Sequence, residues 1–167
     1  MKICLLSDTH GQEHLVKIPK CDILVCAGDT NLHSLDALKN LDNWFSKQST
    51  NKILFIAGNH CWLPYKKGKD FIKQNIKHAT YLEDEEITIE GIKFYGFPWT
   101  PIFGNWAYML GQEKMKEKTN LIPKDTNVLI SHGPVFGILD KPMKANGDLS
   151  YSVGCVTLLN KVKEIAP

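Results

Sequence analysis

Six side chains that can bind a metal ion or transfer a proton follow short apolar runs of this 167-residue sequence: Asp8, His10, Asp29, Asn59, His60 and His132. Carboxylate, amide and imidazole donors together suit divalent ions of hard to borderline character, such as Mn, Fe, Co, Ni or Zn. A thiolate zinc site is disfavoured, because this set uses none of the five cysteines. The residue types therefore predict metal-dependent chemistry.

The spacing of these donors favours two metal ions rather than one. Asp8 and His10 stand two positions apart and can reach the same ion. Asn59 and His132 can bind the second ion, and Asp29 can bridge the pair, as carboxylates do between ions about 3.5–4 Å apart. A hydroxide held between two such ions is a strong nucleophile at neutral pH, so the predicted reaction is its in-line attack on phosphorus.

His60 directly follows a predicted ligand but can project elsewhere, which makes it the candidate general acid for the leaving oxygen. Taken singly, Asp-x-His, Gly-Asp and Gly-Asn-His are common as turn or helix-capping sequences. Their occurrence in this order, each after an apolar run, favours the catalytic interpretation.

The apolar runs predict the strands that position these residues. Residues 3–6, 23–26, 53–56 and 128–130 are continuously apolar, as expected of strands covered on both faces. Each run ends in small or polar residues that include a candidate ligand. Because ligands gather at the carboxyl ends of the strands in open α/β sheets, we expect the six side chains to converge there.

The segments between and after these runs predict helices and one β-hairpin. An amphipathic helix between the second and third strands makes a βαβ unit, which implies a largely parallel sheet. The predicted elements are a helix from the N-cap Ser34 to about residue 48, a shorter helix over 70–78, a hairpin of strands 86–90 and 92–97 around Gly91, and a last helix from Ser152.

Length and charge limit the classes of protein that this sequence can represent. A chain of 167 residues with 43% hydrophobic content predicts one domain over 1–167. The 20 basic and 18 acidic residues are nearly balanced, and the Lys-rich stretches 66–69 and 114–118 are interpreted as solvated surface. Nucleic acid is therefore an unlikely partner, and the chemistry instead predicts a small phosphoester substrate. The sequence does not predict an oligomeric state.

The cysteines and the first residues indicate a cytoplasmic protein without a membrane partner. Five scattered cysteines do not form a disulfide framework. The four apolar residues before Ser7 are too few for a signal peptide core or a membrane span.

Several residues near the motifs have more than one interpretation. Trp99 and Trp106 either line a substrate cleft or pack in the interior, and packing is the commoner use of aromatic side chains. Cys61 is either a bystander thiol or a soft ligand. His14, His33 and His78 are interpreted as ordinary residues rather than ligands, although His14 is close enough in sequence to touch substrate.

In its order of motifs, the sequence resembles the calcineurin-like metallophosphoesterase superfamily. Four motifs of that family occur here: Asp-x-His at 8–10, Gly-Asp at 28–29, Gly-Asn-His at 58–60 and the later His132. The segments 95–101, 131–134, 137–140 and 153–155 are similar to the branch of small metallophosphoesterase-domain-containing proteins. The resemblance implies an α/β fold, a four-layer α/β/β/α sandwich, and a phosphodiesterase-like hydrolase with cyclic nucleotides among its substrate types.

The sequence also departs from the family pattern. Members of the branch continue after the helix that matches 152–165 into a strand ending in Gly-His-x-His, which gives one imidazole to each metal. Here the sequence ends at Pro167, so a domain lacking its last strands is expected. A fragment of a longer product is favoured over a natural truncation or a chain completed by another polypeptide.

Two further departures concern single motifs. Cys61 stands where the family has Asp or Glu, and the segment 28–31 is one residue shorter than usual, which leaves the place of Asn31 open. If the 167 residues are the complete chain, activity is expected to be impaired. The alternative to an enzyme is a catalytically inactive scaffold of the same fold that binds a partner.

Overall fold

Two β-sheets form the centre of the structure, a computed structural model that describes residues 1–143 and 147–167. The strands are β1 Ile3–Leu6, β2 Ile23–Cys26, β3 Ile53–Phe55, β4 Thr80–Tyr81, β5 Glu85–Ile89, β6 Ile92–Phe97, β7 Thr100–Pro101, β8 Met109–Leu110 and β9 Val128–Ser131. The helices are α1 Leu35–Phe45, α2 Trp62–Lys67, α3 Lys69–Asn75, α4 Gln112–Asn120 and α5 Val156–Ile165, with one 3₁₀ turn at Glu13–Leu15.

The first sheet has the order β1-β2-β3-β4, and all of its strand pairs are parallel. The continuous apolar runs of β2 and β3 are buried on both faces, as the sequence predicts. In β9 the run is only partly buried, since Val128 and Leu129 are half-buried. The prediction is wrong for β1, where Leu5 is 73% exposed. The reason is that β1 is the edge strand, and on this face of β1 only Ile3 packs against the core between the sheets.

The second sheet contains β5, β6 and β9. β5 and β6 form the predicted antiparallel hairpin, and Gly91 takes the left-handed backbone of its turn, with φ of 79°. β9 pairs in parallel with β6 and lies at the edge of this sheet in the described part of the chain. β7 and β8 form a separate short parallel pair.

The two sheets pack face to face with helices outside them. Their shared interior includes Ile23, Val25 and Leu54 from the first sheet and Phe94 and Ile130 from the second. Alternate residues of the same strands, such as Leu24 and Phe97, belong to the cores beneath the helices. The predicted α/β/β/α sandwich is therefore confirmed.

The helix boundaries differ in detail from the sequence predictions. α1 begins where predicted, because Ser34 Oγ accepts the Ala37 N–H at 3.1 Å, but it ends at Phe45 rather than near residue 48. α3 spans 69–75 rather than 70–78. α5 begins at Val156 rather than at Ser152, because the Cys155 N–H donates to the Pro134 carbonyl and keeps that residue extended. Among the described residues, no helix has the length and apolar character needed to cross a membrane.

Candidate metal centre

The loops that follow β1 and β2 are bonded to each other at the carboxyl end of the first sheet. The Asp8 N–H donates to the Gly28 carbonyl at 3.1 Å, and the His10 N–H donates to the Asp29 carbonyl at 2.9 Å. These two bonds extend the pairing of parallel strands into the loops. The first two predicted motifs are thereby held side by side.

Asp8, His10 and Asp29 form the first half of the candidate centre. Their ligand atoms all lie within 4.8 Å of one another. Asp8 and His10 are exposed, whereas Asp29 is 3% exposed, so the trio opens to solvent on one side only. An open side leaves room for substrate beside a bound ion.

The backbone around this trio is unusual. Asp8, His10, Asp29 and Asn31 all have φ between 49° and 60°, in the left-handed region that few residues other than glycine adopt. Asp and Asn tolerate this region best among the others, because their short side chains can bond locally. The left-handed turns let the chain reverse direction immediately after each strand while the side chains stay at the sheet edge.

Asn59 and His132 form the second half of the centre, next to Asp29. His132 Nε2 lies 2.9 Å from Asn59 Oδ1 and 3.5 Å from Asp29 Oδ1. On the other side of the ring, His132 Nδ1 lies 2.9 Å from the Ala27 carbonyl, which can only accept. The hydrogen of the neutral ring therefore sits on Nδ1, and the Nε2 lone pair points at the two oxygens.

Three electron-rich atoms that converge in this way require a cation or a proton among them. Burial alone would lower the pKa of His132, but the hydrogen bond to Asp29 and its charge outweigh burial and raise that pKa. Burial alone would raise the pKa of Asp29, but His132 and the His60 N–H lower it below its usual value. The donor set thus fits a divalent ion, which can replace the proton.

Two glycines allow these ligands to approach so closely. A Cβ at Gly28 would lie 2.6 Å from His132 Nδ1, and a Cβ at Gly58 would lie 2.3 Å from Asp29 Oδ1. Real side chains do not reach such distances. Both positions therefore require the absence of a side chain for the ligand set to assemble.

His60 is held beside the cluster through its backbone rather than through its ring. Its N–H donates to Asp29 Oδ1 at 2.8 Å. Its imidazole lies against the ring of His10, with centroids 4.9 Å apart, and against Trp106, with centroids 4.2 Å apart. The structure therefore brings all six predicted residues together, with His60 in a position distinct from the other five.

Trp99 and Trp106, which could each line a cleft or pack in the interior, differ in their surroundings. Trp99 is 8% exposed, and its indole N–H donates to Asp84 at 2.8 Å, so it is a packing residue. Lys118, in a stretch interpreted as solvated, also reaches Asp84 at 2.5 Å and lies over the Trp99 ring. Trp106 is 40% exposed and lies at the candidate centre.

Cys61 and Asn31 are also placed by the structure. Cys61 is fully buried, and burial raises the pKa of its thiol, opposed by hydrogen bonds from the backbone of Gly58 and Leu32. A protonated thiol in this environment is a bystander rather than a ligand. Asn31 lies near Gly11, the residue that follows the first motif, and its side-chain oxygen contacts the His33 ring.

The remaining histidines lie outside the candidate ligand trio. His78 pairs with Asp42 at 3.0 Å, and His14 is exposed on the 3₁₀ turn. One supporting residue was not predicted: Glu13 is 7% exposed and accepts the Thr9 hydroxyl at 3.2 Å, which fixes the turn between Asp8 and His10. A buried Glu in a polar loop has no recognisable sequence signal.

Comparison with known proteins agrees with this geometry. A family model described as the calcineurin-like phosphoesterase superfamily domain matches residues 1–157. The human metallophosphoesterase domain-containing protein 1 is 33% identical over 96% of this chain and 55% of its own length. The UPF0046 protein K07C11.7 of Caenorhabditis elegans is 32% identical over the whole chain and 60% of its own length.

The chain thus spans little more than half the length of these relatives. A solved structure with 13% sequence identity superposes with a TM-score of 0.66, over 99% of this chain and 80% of its own, which shows a shared fold. The motifs, the fold and the family match agree, and the chain belongs to the calcineurin-like phosphoesterase superfamily.

Proposed function

We propose that this domain is a metal-dependent phosphodiesterase that acts on small phosphoesters, nucleotides among them. The observation that carries the proposal is the convergence of Asp8, His10 and Asp29 within 4.8 Å, with Asn59 and His132 directly behind. Family membership supports a phosphoesterase as the general class.

The ligand set divides between two ions. Asp8 and His10 would hold one, Asn59 and His132 the other, and Asp29 would contact both. When bound, two divalent ions such as Mn, Fe, Zn, Co or Ni would supply a hydroxide nucleophile at neutral pH and stabilise charge on the phosphoryl oxygens.

His60 is the proposed general acid. Its backbone is anchored to Asp29, and its ring stands at the edge of the ligand cluster rather than within it. From there the imidazole can give a proton to the leaving oxygen while the ligands stay in place. The nearly balanced charge of the chain supports a small substrate rather than nucleic acid, and the scattered cysteines support a cytoplasmic location.

Manganese titration and diester hydrolysis test the proposal. The purified chain, alone and extended by a Gly-His-x-His strand, is titrated with Mn²⁺ by calorimetry and assayed with bis(p-nitrophenyl) phosphate and p-nitrophenyl phosphate. We expect Mn²⁺ binding, Mn²⁺-stimulated hydrolysis that favours the diester, and loss of both in Asp29→Ala. Asp36→Asn, at an exposed position of α1, is the matched acidic control and should behave as wild type. Hydrolysis undiminished by Asp29→Ala would contradict the proposal.

A second candidate is a non-catalytic scaffold that binds a partner through the same face. It is favoured by one observation: the buried Cys61 offers no carboxylate to orient His60. A stably folded chain that binds neither Mn²⁺ nor Zn²⁺ by calorimetry, with or without the added strand, would support the scaffold over the enzyme.

A further inference from the structure

The imidazole of His60 is enclosed by two other rings. Trp106 lies on one side at a centroid distance of 4.2 Å and an interplanar angle of 37°. His10 lies edge-on at 4.9 Å and 81°. These two contacts define the orientation of the ring.

Among residues 1–143 and 147–167, no hydrogen bond orients the His60 ring. The His60 hydrogen bond found there is made by the backbone N–H, and none is made by the ring nitrogens. The adjacent Cys61 is fully buried and surrounded by backbone. A histidine without a hydrogen-bonded partner depends on packing for its rotamer.

The segment that carries Trp106 is itself fixed. The next residue, Ala107, donates its N–H to the Asn59 carbonyl at 3.0 Å, which ties the segment to the residue before His60. Tyr108 then donates its hydroxyl to Glu83 at 2.7 Å and packs on Trp99 at 5.1 Å. The backbone next to Trp106 is therefore bonded to the backbone of Asn59, although 40% of the Trp106 surface is exposed.

We propose that Trp106 is a positioning residue that holds the His60 imidazole toward the leaving oxygen. The inference rests on the proposed function, in which hydroxide attacks phosphorus and the bond from phosphorus to the leaving oxygen breaks. The electron pair of that bond stays on the leaving oxygen, and the proton from the His60 ring N–H neutralises it. The orientation of the His60 ring matters most when the leaving group is poor, because a good leaving group departs as an anion without being protonated.

Leaving-group dependence tests this role. Wild type, Trp106→Ala and Trp106→Phe are assayed with methyl p-nitrophenyl phosphate, which has a good leaving group, and with methyl phenyl phosphate, which has a poorer one. We expect Trp106→Ala to lower kcat on the phenyl diester by about 10- to 100-fold, a large part of a general-acid contribution, with a much smaller loss on the nitrophenyl diester. Trp106→Phe should recover part of the loss, since a ring remains.

Trp62→Ala is the matched control. Trp62 also carries an exposed part of its indole and lies two residues from His60, but its ring packs on Tyr65 at 6.0 Å instead. Its kcat ratio for the two diesters should equal that of wild type. Equal losses on both diesters in Trp106→Ala would overturn the proposal. A raised KM with kcat unchanged would also overturn it and would make Trp106 a substrate contact.

A measurement on the metal-free protein is independent of turnover. The His60 ring protons, assigned in NMR spectra by their absence in His60→Gln, should be shifted upfield by the Trp106 ring and should return toward ordinary positions in Trp106→Ala. An unchanged His60 resonance would refute the positioning role. If wild type hydrolyses neither diester, the proposed function fails, and the resonance alone decides whether Trp106 fixes the His60 ring.

Discussion

Replacing Gly58 by alanine should weaken metal binding. The new Cβ would lie 2.3 Å from Asp29 Oδ1, 2.6 Å from the Asp29 backbone nitrogen and 2.7 Å from His132 Cε1. Ordinary van der Waals contact begins at 3.4 Å, so the Asp29 carboxylate has to withdraw by about 1 Å. Overpacking of this kind costs about 1–3 kcal/mol. Because both displaced groups are proposed ligands, that cost should appear in Mn²⁺ affinity as a decrease of about 10- to 100-fold.

The assay is calorimetric titration of Mn²⁺ into Gly58→Ala, after urea unfolding has shown at which temperature the variant is fully folded. Gly111→Ala is the control, since its backbone φ is −68° and its nearest neighbouring atom would lie 3.9 Å from the new Cβ. Because Gly111 is the N-cap of α4, where glycine is preferred over alanine, the control should lower the free energy of unfolding by up to about 1 kcal/mol and leave Mn²⁺ affinity unaltered. If Gly58→Ala binds Mn²⁺ as tightly as wild type, the close approach does not shape the ligand set and the reasoning is wrong.

Three further predictions concern the scaffold, each measured by urea unfolding. Ser34→Ala should lower the free energy of unfolding by about 1 kcal/mol, because it removes the N-cap of α1. Tyr108→Phe should cost about 1–2 kcal/mol, since Glu83 loses a buried hydroxyl donor. Asp42→Asn should lower the free energy of unfolding by about 1–2 kcal/mol at pH 7, because the Asp42 carboxylate accepts the N–H groups of Lys77 and His78 and pairs with the His78 ring. Burial would raise the pKa of Asp42, but these partners lower it below its usual value. This stabilisation is present above the unfolded pKa of about 3.9 and is lost as the pH falls through the lower folded pKa. The free energies of unfolding of wild type and Asp42→Asn should therefore become equal at acid pH.

Exposed residues of the same types provide the controls for these variants. Ser49→Ala, Tyr151→Phe and Asp36→Asn should each stay within about 0.5 kcal/mol of wild type. A loss in a control as large as in its partner would show that the named hydrogen bond is not the cause. A constant difference between Asp42→Asn and wild type down to pH 2 would contradict the charge-based explanation.

Those parts of the fold that depend on local pattern were predictable from the sequence. The apolar runs of β2 and β3, the N-cap of α1 and the turn at Gly91 each leave a short-range signal. The convergence of Asp8 and Asp29 followed from the rule that the carboxyl ends of parallel strands meet at one edge. His132 instead follows β9 of the second sheet, so its approach to Asp29 depends on how the two sheets pack.

Those parts that depend on distant neighbours were not predictable. Helix α4 has Met115 as its only buried apolar residue, so its sequence has almost no apolar stripe. The exposure of Leu5 depends on which strand lies opposite β1. The sequence also could not separate Trp99 from Trp106, because the difference lies in what each ring contacts after folding.

The left-handed backbone at Asp8, His10, Asp29 and Asn31 has a consequence for how the protein responds to its ion supply. Each such residue costs about 1–2 kcal/mol of folding free energy, and two of the four, Asp8 and Asp29, also bring carboxylates to the same rim. In the absence of ions this rim should open first, with its amides exchanging hydrogen far faster than those of β2 and β3. Bound ions would slow that exchange, since a ligand that binds only the folded state stabilises it. The unfolding temperature of the protein should then rise with the concentration of the metal ion.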